Sequence, residues 1–305
     1  MFKQKLILLV LIPLLATLFF SLSHLNTLTS KQEQLEEIHD LIALTVANNA
    51  LVHELQKERG ATAVYIGSKG EKFSQELKSQ RKLTNRAYEN LNVELNGFYS
   101  ENDRVNSIVS LIKSGLLKLE GIRERSDNLS ISLSQAIGYY TAQNNQMLSL
   151  AGFFSVISPT ETVSTAIAYY VLLEAKERAG IERAVASGGF AKDAFEQAAF
   201  QKFTSLVALQ DSYLEQFSAK ASLKAMNAYK STLYNDNVVE VNRMREVAVS
   251  IGQAGPFNVD ATVWFDSATG RINLLKDIEN LVADEFIIDV DLLLNEANTN
   301  VMVDL

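Results

Sequence analysis

The chain of 305 residues has no cysteine, three histidines and three prolines. Without cysteine there is no disulfide framework, no thiol nucleophile and no thiolate metal site. His24, His39 and His53 leave little material for a nucleophile–base pair or a zinc centre. Glu36 and His39 do stand at the Glu-x-x-His spacing of di-iron helix bundles. Such a site needs a second copy, and neither His24 nor His53 has Glu three residues before it. No catalytic residue, metal or cofactor is therefore expected. Gly67-Ser68-Lys69-Gly70 joins two helical stretches with no strand before it, so it reads as a turn and not as a phosphate cradle. A basic excess is missing too. The net charge of −8 argues against nucleic acid or an anionic membrane surface as main partner. An anionic ligand would have to be caught by a local cluster of arginines.

The apolar content of 47%, with long runs free of proline, favours an all-helical build with a sizeable core. Lys3 and Lys5 precede an almost wholly apolar run from Leu6 to Leu22. That length suits a membrane span. A cleaved signal peptide competes, since Ser21 and Ser23 are small residues at plausible cleavage positions. The unbroken helical pattern that follows favours an uncleaved anchor, with Lys3 and Lys5 cytoplasmic and the remainder periplasmic. The expected domains are a membrane anchor over 1–24, a helical sensor over 25–290 and a tail over 291–305.

Helical periodicity continues from Leu25 to Ile66, then over about 71–98, 104–125 and onward to Ile157. Ser158-Pro159-Thr160-Glu161 reads as a capping box that opens a helix ending at Ser187-Gly188-Gly189. Further helices are expected over 191–219, up to Ile251 with a break near Asn235-Asp236-Asn237, and from Ala261 past Phe286 behind an Asp260 cap. The sum is two antiparallel four-helix bundles, with the transmembrane helix running into the first bundle helix. A faint repeat sets Lys57-Glu58-Arg59-Gly60 against Lys176-Glu177-Arg178-Ala179. After Phe286 no run of about 18 apolar residues follows. The chain is thus expected to be either a truncated receptor or a tethered single-pass protein.

At about 100° per residue, Arg59 falls near the middle of the apolar sector made by Leu51, Val52, Leu55, Ala63 and Ile66. Arg271 likewise falls inside the face of Trp264, Ala268, Leu275, Ile278 and Val282. A buried guanidinium needs a partner, because burying it unpaired costs several kcal/mol, on the order of 3–5. The partner is either a carboxylate from a facing helix or a small anion. No inward carboxylate is evident beside Arg59 or Arg271, which suggests a shared anion. Arg178 lies at the edge of the Val163-Ile167-Tyr170-Ile181 stripe with Glu174 and Glu177 as possible partners, while Arg183 lies opposite. Periodicity does not choose between those two arginines. Thr62, one turn from Arg59, could donate a hydroxyl to the anion or simply fill a tight contact.

Leu55-Gln56-Lys57-Glu58-Arg59-Gly60-Ala61-Thr62 resembles the opening motif of the nitrate- and nitrite-sensing (NIT) domain. Residues 174–184, Glu-Ala-Lys-Glu-Arg-Ala-Gly-Ile-Glu-Arg-Ala, are similar to its central motif, and Trp264 to Ile272 to its closing one. The resemblance implies an all-helical, non-enzymatic sensor that binds nitrate or nitrite between helices through arginine. In bacteria such a domain is joined to transcription antitermination, chemoreceptor, kinase or cyclic-dinucleotide output modules; taken with the N-terminal anchor, this suggests an inner-membrane receptor, such as a homodimeric chemoreceptor. Carried across by motif, Arg59, Arg183 and Arg271 are the anion contacts, with Arg183 favoured over Arg178. The rivals are a helical receptor for a small organic carboxylate and a purely structural membrane-tethered bundle.

Overall fold

The computed structural model describes residues 2–304; Met1, Leu305 and the side chains of residues 2–8, 10 and 302–304, Lys3 and Lys5 among them, lie outside the described residues. Regular structure among the described residues is entirely helical, as the composition predicts. The order is α1 (Phe2–Gly67), α2 (Ser74–Gly97), α3 (Asp103–Leu116), α4 (Leu119–Asp127), α5 (Leu133–Ile157), α6 (Val163–Ala191), α7 (Gln197–Lys220), α8 (Leu223–Thr232), α9 (Asp236–Ile251) and α10 (Ala261–Asp304).

Local chemistry sets most of these boundaries. Ser132 caps α5 in a full capping box with Gln135. Asn235 caps α9 by accepting from the Asn237 amide, so the break expected near 235–237 is real. Asp260 accepts from the amides of Thr262 and Val263 at the start of α10.

Three boundaries differ from expectation. Ser158 does not open a helix but closes one, its hydroxyl donating to the Phe154 carbonyl at 3.0 Å, and α6 begins at Val163. A Ser-Pro pair fits a helix end as well as a start, since the residue before proline avoids the helical region. Gly188-Gly189 does not stop α6. Gly189 is there for packing, because a Cβ at that position would come within 2.1 Å of the Phe195 ring. The single helix expected over 104–125 is divided into α3 and α4. The Lys118 amide makes a tightened bond to the Gly115 carbonyl at 3.1 Å, and at this step Leu116 and Leu119 are both buried while Leu117 is 79% exposed.

The chain forms two compact units, Met1–Ile42 with Ile287–Leu305, and Ala43–Phe286. In the first unit, Leu35, Ile38 and Leu41 of α1 and Val290 and Ala297 of α10 are buried. His39 Nε2 there lies 3.3 Å from Asp291 Oδ1. The apolar side chains from Leu11 to Leu22 are exposed, and the helix that carries them is long and apolar enough to cross a membrane.

The second unit has an aromatic core at one end, where Phe190, Phe195, Phe257 and Trp264 pack edge to face and Phe203 stacks on Phe195. Its cross-helix hydrogen bonds link α1 to α2, α4 and α5, and link α6 to α7, α9 and α10. α1 and α6 meet each other through polar side chains.

Candidate functional site

Both α1 and α6 carry a Glu-Arg step, Glu58-Arg59 and Glu182-Arg183, and in each the two side chains diverge. The glutamate turns into its own helix group. Glu58 is fully buried and receives Arg123 Nε and Nη2 at 2.7 and 2.8 Å, with the Tyr140 hydroxyl at 2.9 Å. Glu182 receives Arg245 Nε and Nη2 at 2.6 Å each, with Gln210 at 2.8 Å. These bidentate pairs are structural pins between helices. They also set the register of the internal repeat. Glu58-Arg59 corresponds to Glu182-Arg183, and not to Glu177-Arg178 as the sequence match suggested.

The two arginines turn the other way and meet at the α1–α6 contact. Arg59 is 1% exposed and Arg183 is 2% exposed. Arg59 Nη1 donates to Thr141 Oγ1 at 3.0 Å, and Arg183 Nη1 donates to Thr269 Oγ1 at 2.8 Å, so the repeat extends to the threonines of α5 and α10. The guanidinium of Arg59 passes Gly180, where a Cβ would sit 2.9 Å from Nη2, and that of Arg183 passes Gly60, where it would sit 2.7 Å away. Each glycine makes room for the arginine of the other helix.

Symmetry ends at the counter-charge. Glu177 of α6 accepts from Arg59 Nη1 at 2.6 Å and Nη2 at 3.4 Å, from Gln56 at 2.7 Å and from Asn144 at 3.4 Å. The absence of a carboxylate expected beside Arg59 is thus corrected: Glu177 clasps it. On the Arg183 side the residue in the place of Glu177 is His53, kept neutral by burial and by the nearby charge of Lys176. Among the described residues no carboxylate oxygen lies within ion-pair distance of Arg183. Its other contacts are the Gln56 carbonyl at 3.2 Å and the Phe265 ring at 4.7 Å, and its Nε has no hydrogen-bond partner. Burial and the neighbouring Arg59 push its pKa down to about 10. A guanidinium stays charged at that value, so the shift marks a desolvated cation short of an anion. Arg59, Arg183 and Glu177 together leave one uncompensated positive charge in a dry contact.

Of the residues singled out from sequence, the structure brings together Arg59 and Arg183 and leaves the others elsewhere. Arg271 does not share a site with Arg59. It lies two residues past Thr269, on another side of α10, where Nη1 donates to Gln210 Oε1 at 2.7 Å and lies 4.0 Å from Glu182. Arg178 pairs with Glu174 one turn away and stacks over Tyr213. Thr62 is buried beside Tyr140, on the Glu58 side. Sequence reading missed Glu177 as the partner of Arg59, the pins Arg123 and Arg245, and the roles of Gly60 and Gly180. The paired Glu-Arg step itself is a signal that could have set the register of the repeat, but nothing local marks Gly180, three residues before Arg183, or the distant pins.

Comparison with known proteins gives concordant results. A family described as nitrate and nitrite sensing, NIT, matches residues 50–287. The nitrate regulatory protein of Klebsiella oxytoca is 23% identical over 273 residues, covering 87% of this chain and 67% of its own length. The solved structure of the NasR transcription antiterminator superposes with a TM-score of 0.81 at 22% identity, over 92% of this chain and 75% of that one. With its motifs matched across 50–287, this chain belongs to the nitrate and nitrite sensing family.

Proposed function

We propose that nitrate or nitrite is seated between Arg59 of α1 and Arg183 of α6. The observation that carries this is the Arg183 guanidinium, buried next to Arg59 with Nε unpaired and no carboxylate of its own among the described residues. Nitrate is planar, monovalent and weakly basic, and a guanidinium edge offers it parallel N–H donors that Lys cannot reproduce. One negative charge offsets the one positive charge left over. In the unliganded state Glu177 serves as the counter-ion of Arg59. The anion takes over part of that role, so that Arg59 and Arg183 share it while Glu177 keeps Gln56 and Asn144. The ligand then favours the arrangement of α1 against α6 that suits a shared anion, which is how a ligand shifts a conformational equilibrium.

The domain works as the periplasmic sensor of a bacterial inner-membrane signalling protein, such as a homodimeric chemoreceptor. Support comes from the exposed apolar segment between Leu11 and Leu22 at the start of α1, whose later turns carry Arg59. Titration calorimetry of the full chain in detergent with nitrate, nitrite, chloride and formate tests the ligand. Heat saturating with nitrate or nitrite, and its loss in Arg183→Gln, are expected. No saturable heat with either anion would overturn the assignment.

A further inference from the structure

The Arg59–Arg183 contact is closed, with the two arginines 1% and 2% exposed. An anion reaches their N–H groups only if something moves aside. The helices that carry them are poor candidates, since Glu58 ties α1 and Glu182 ties α6 to its own helix group. The cover over Arg183 is lighter. Its guanidinium lies 4.7 Å from the centroid of the Phe265 ring of α10, and Phe265 is only half-buried. The Phe73 ring, also half-buried, meets Phe265 nearly at right angles with centroids 5.8 Å apart. Two aromatic rings in series thus lie against the cation that lacks a carboxylate. In α5 the position matching Phe265 is Ile137, and on that side Glu177 already holds Arg59.

Phe73 reaches its place at a local cost. It ends the α1–α2 connection, residues 68–73, in which Lys69, Gly70 and Phe73 have φ of 55°, 86° and 62°. A bulky residue in the left-handed region is an outlier. Phe73 is also the N-cap residue of α2, where it offers no side-chain oxygen to the first turn, whereas Ser132 and Asn235 do so for α5 and α9. Both features go against local preference, and the ring contact with Phe265 is what the position gains. Strain that is held in place only by packing is released when the packing opens. The remainder of the connection is fastened: the Gly70 amide donates to the Tyr65 carbonyl at 2.9 Å, and the Lys72 amide to Ser68 Oγ at 2.9 Å.

We propose that the α1–α2 connection is the gate through which the anion enters and leaves the Arg59–Arg183 contact, with Phe73 as its latch. Opening takes the Phe73 backbone out of the left-handed region and its ring off Phe265. Phe265 can then turn away from Arg183, while the bonded part of the connection and the pinned helices stay in place. Closing restores the dry surroundings in which a charge-assisted contact to the anion is strongest. The latch controls passage and not the bound state, so it acts on both rates together.

This gate rests on the assignment of nitrate to the contact, and its test is kinetic. Isotope-labelled nitrate is added to the full chain in detergent; exchange broadening of its NMR signal gives the dissociation rate, and calorimetry gives Kd. Phe73→Asn keeps a residue that tolerates the left-handed region and adds a capping oxygen, but has no ring. Its dissociation rate should rise at least about tenfold with Kd within about threefold of the wild type, so that association quickens in step. Phe73→Tyr, which keeps the ring on Phe265, should keep the wild-type rates. Circular dichroism checks that both variants are folded. Saturable binding with unchanged rates in Phe73→Asn would overturn the gate alone. So would faster dissociation matched by an equal loss of affinity, since Phe73 would then stabilise bound nitrate without governing its passage. No saturable binding in the wild type or either variant would overturn the nitrate assignment and the gate with it.

Discussion

The two Glu-Arg steps share a dipeptide followed by a small residue, and they differ in the charge compensation of their arginines. The first arginine, Arg59, finds Glu177; the second, Arg183, finds a carbonyl, a threonine and an aromatic ring. Were both arginines paired, the α1–α6 contact would be a static polar seam. Were neither paired, two like charges would face each other in a dry contact at a cost of several kcal/mol, on the order of 3–5. One carboxylate for two guanidiniums lies between these limits. It lets the contact exist without ligand and still leaves a reason for an anion to bind.

Four groups of substitutions would break or sharpen this comparison, and the largest effect belongs to the pins. Arg123→Ala leaves the fully buried Glu58 without its bidentate partner and should cost about 3–5 kcal/mol in urea unfolding. Arg271→Gln, which removes an incompletely compensated cation, should leave stability near the wild-type value or raise it. An equal loss from both would erase the contrast between the halves.

Next come the two arginines themselves. Arg59→Ala and Arg183→Ala should each weaken nitrate binding by about a hundredfold or more, the loss of a charge-assisted fork. Their unliganded stabilities should separate, however. Arg59→Ala strands Glu177 and should be destabilising by about 3 kcal/mol, whereas Arg183→Ala removes a desolvated charge and should cost little. Calorimetry paired with urea unfolding reads both quantities, and equal destabilisation would mean that Arg183 has a partner in solution.

Gly60→Ala places a methyl 2.7 Å from Arg183 Nη2, at the movable end of a flexible side chain. The fold should persist while nitrate binding weakens by about tenfold, the loss of one good contact. Wild-type affinity in this variant would show that Arg183 does not need its observed path. The smallest effect should come from the threonines. Thr269→Val should weaken nitrate binding a few-fold because Thr269 orients Arg183, and Thr141→Val should be nearly silent because Glu177 already holds Arg59.

Much of the fold can be read in the sequence because helices announce themselves through period, caps and breaks. The Asp260 cap and the break at Asn235 are local signals, and they stand where expected. The errors at Ser158 and at Gly188-Gly189 arise where one local motif has two physical uses. Ser-Pro can end or begin a helix, and glycine can stop a helix or make room for a ring such as Phe195.

The site is legible in part for the same reason. Periodicity identifies Arg59 and Arg271 as inward, and both are buried. Periodicity cannot say which inward residues meet, since that depends on how α1 packs on α6. Glu177 therefore passes for a neighbour of Arg178 when it reaches across to Arg59, and Arg178 turns to Glu174. Arg271, expected beside Arg59, is instead held at the second pin by Gln210.

The most direct test of the account is the nitrate affinity of Glu177→Gln, measured by calorimetry on the folded 305-residue chain. Removing the internal counter-ion frees Arg59 and leaves two uncompensated guanidiniums at the contact, so nitrate should bind at least about tenfold more tightly than in the wild type. Unchanged or weaker affinity in a folded variant would contradict the claim that Glu177 and the anion compete for the same charge.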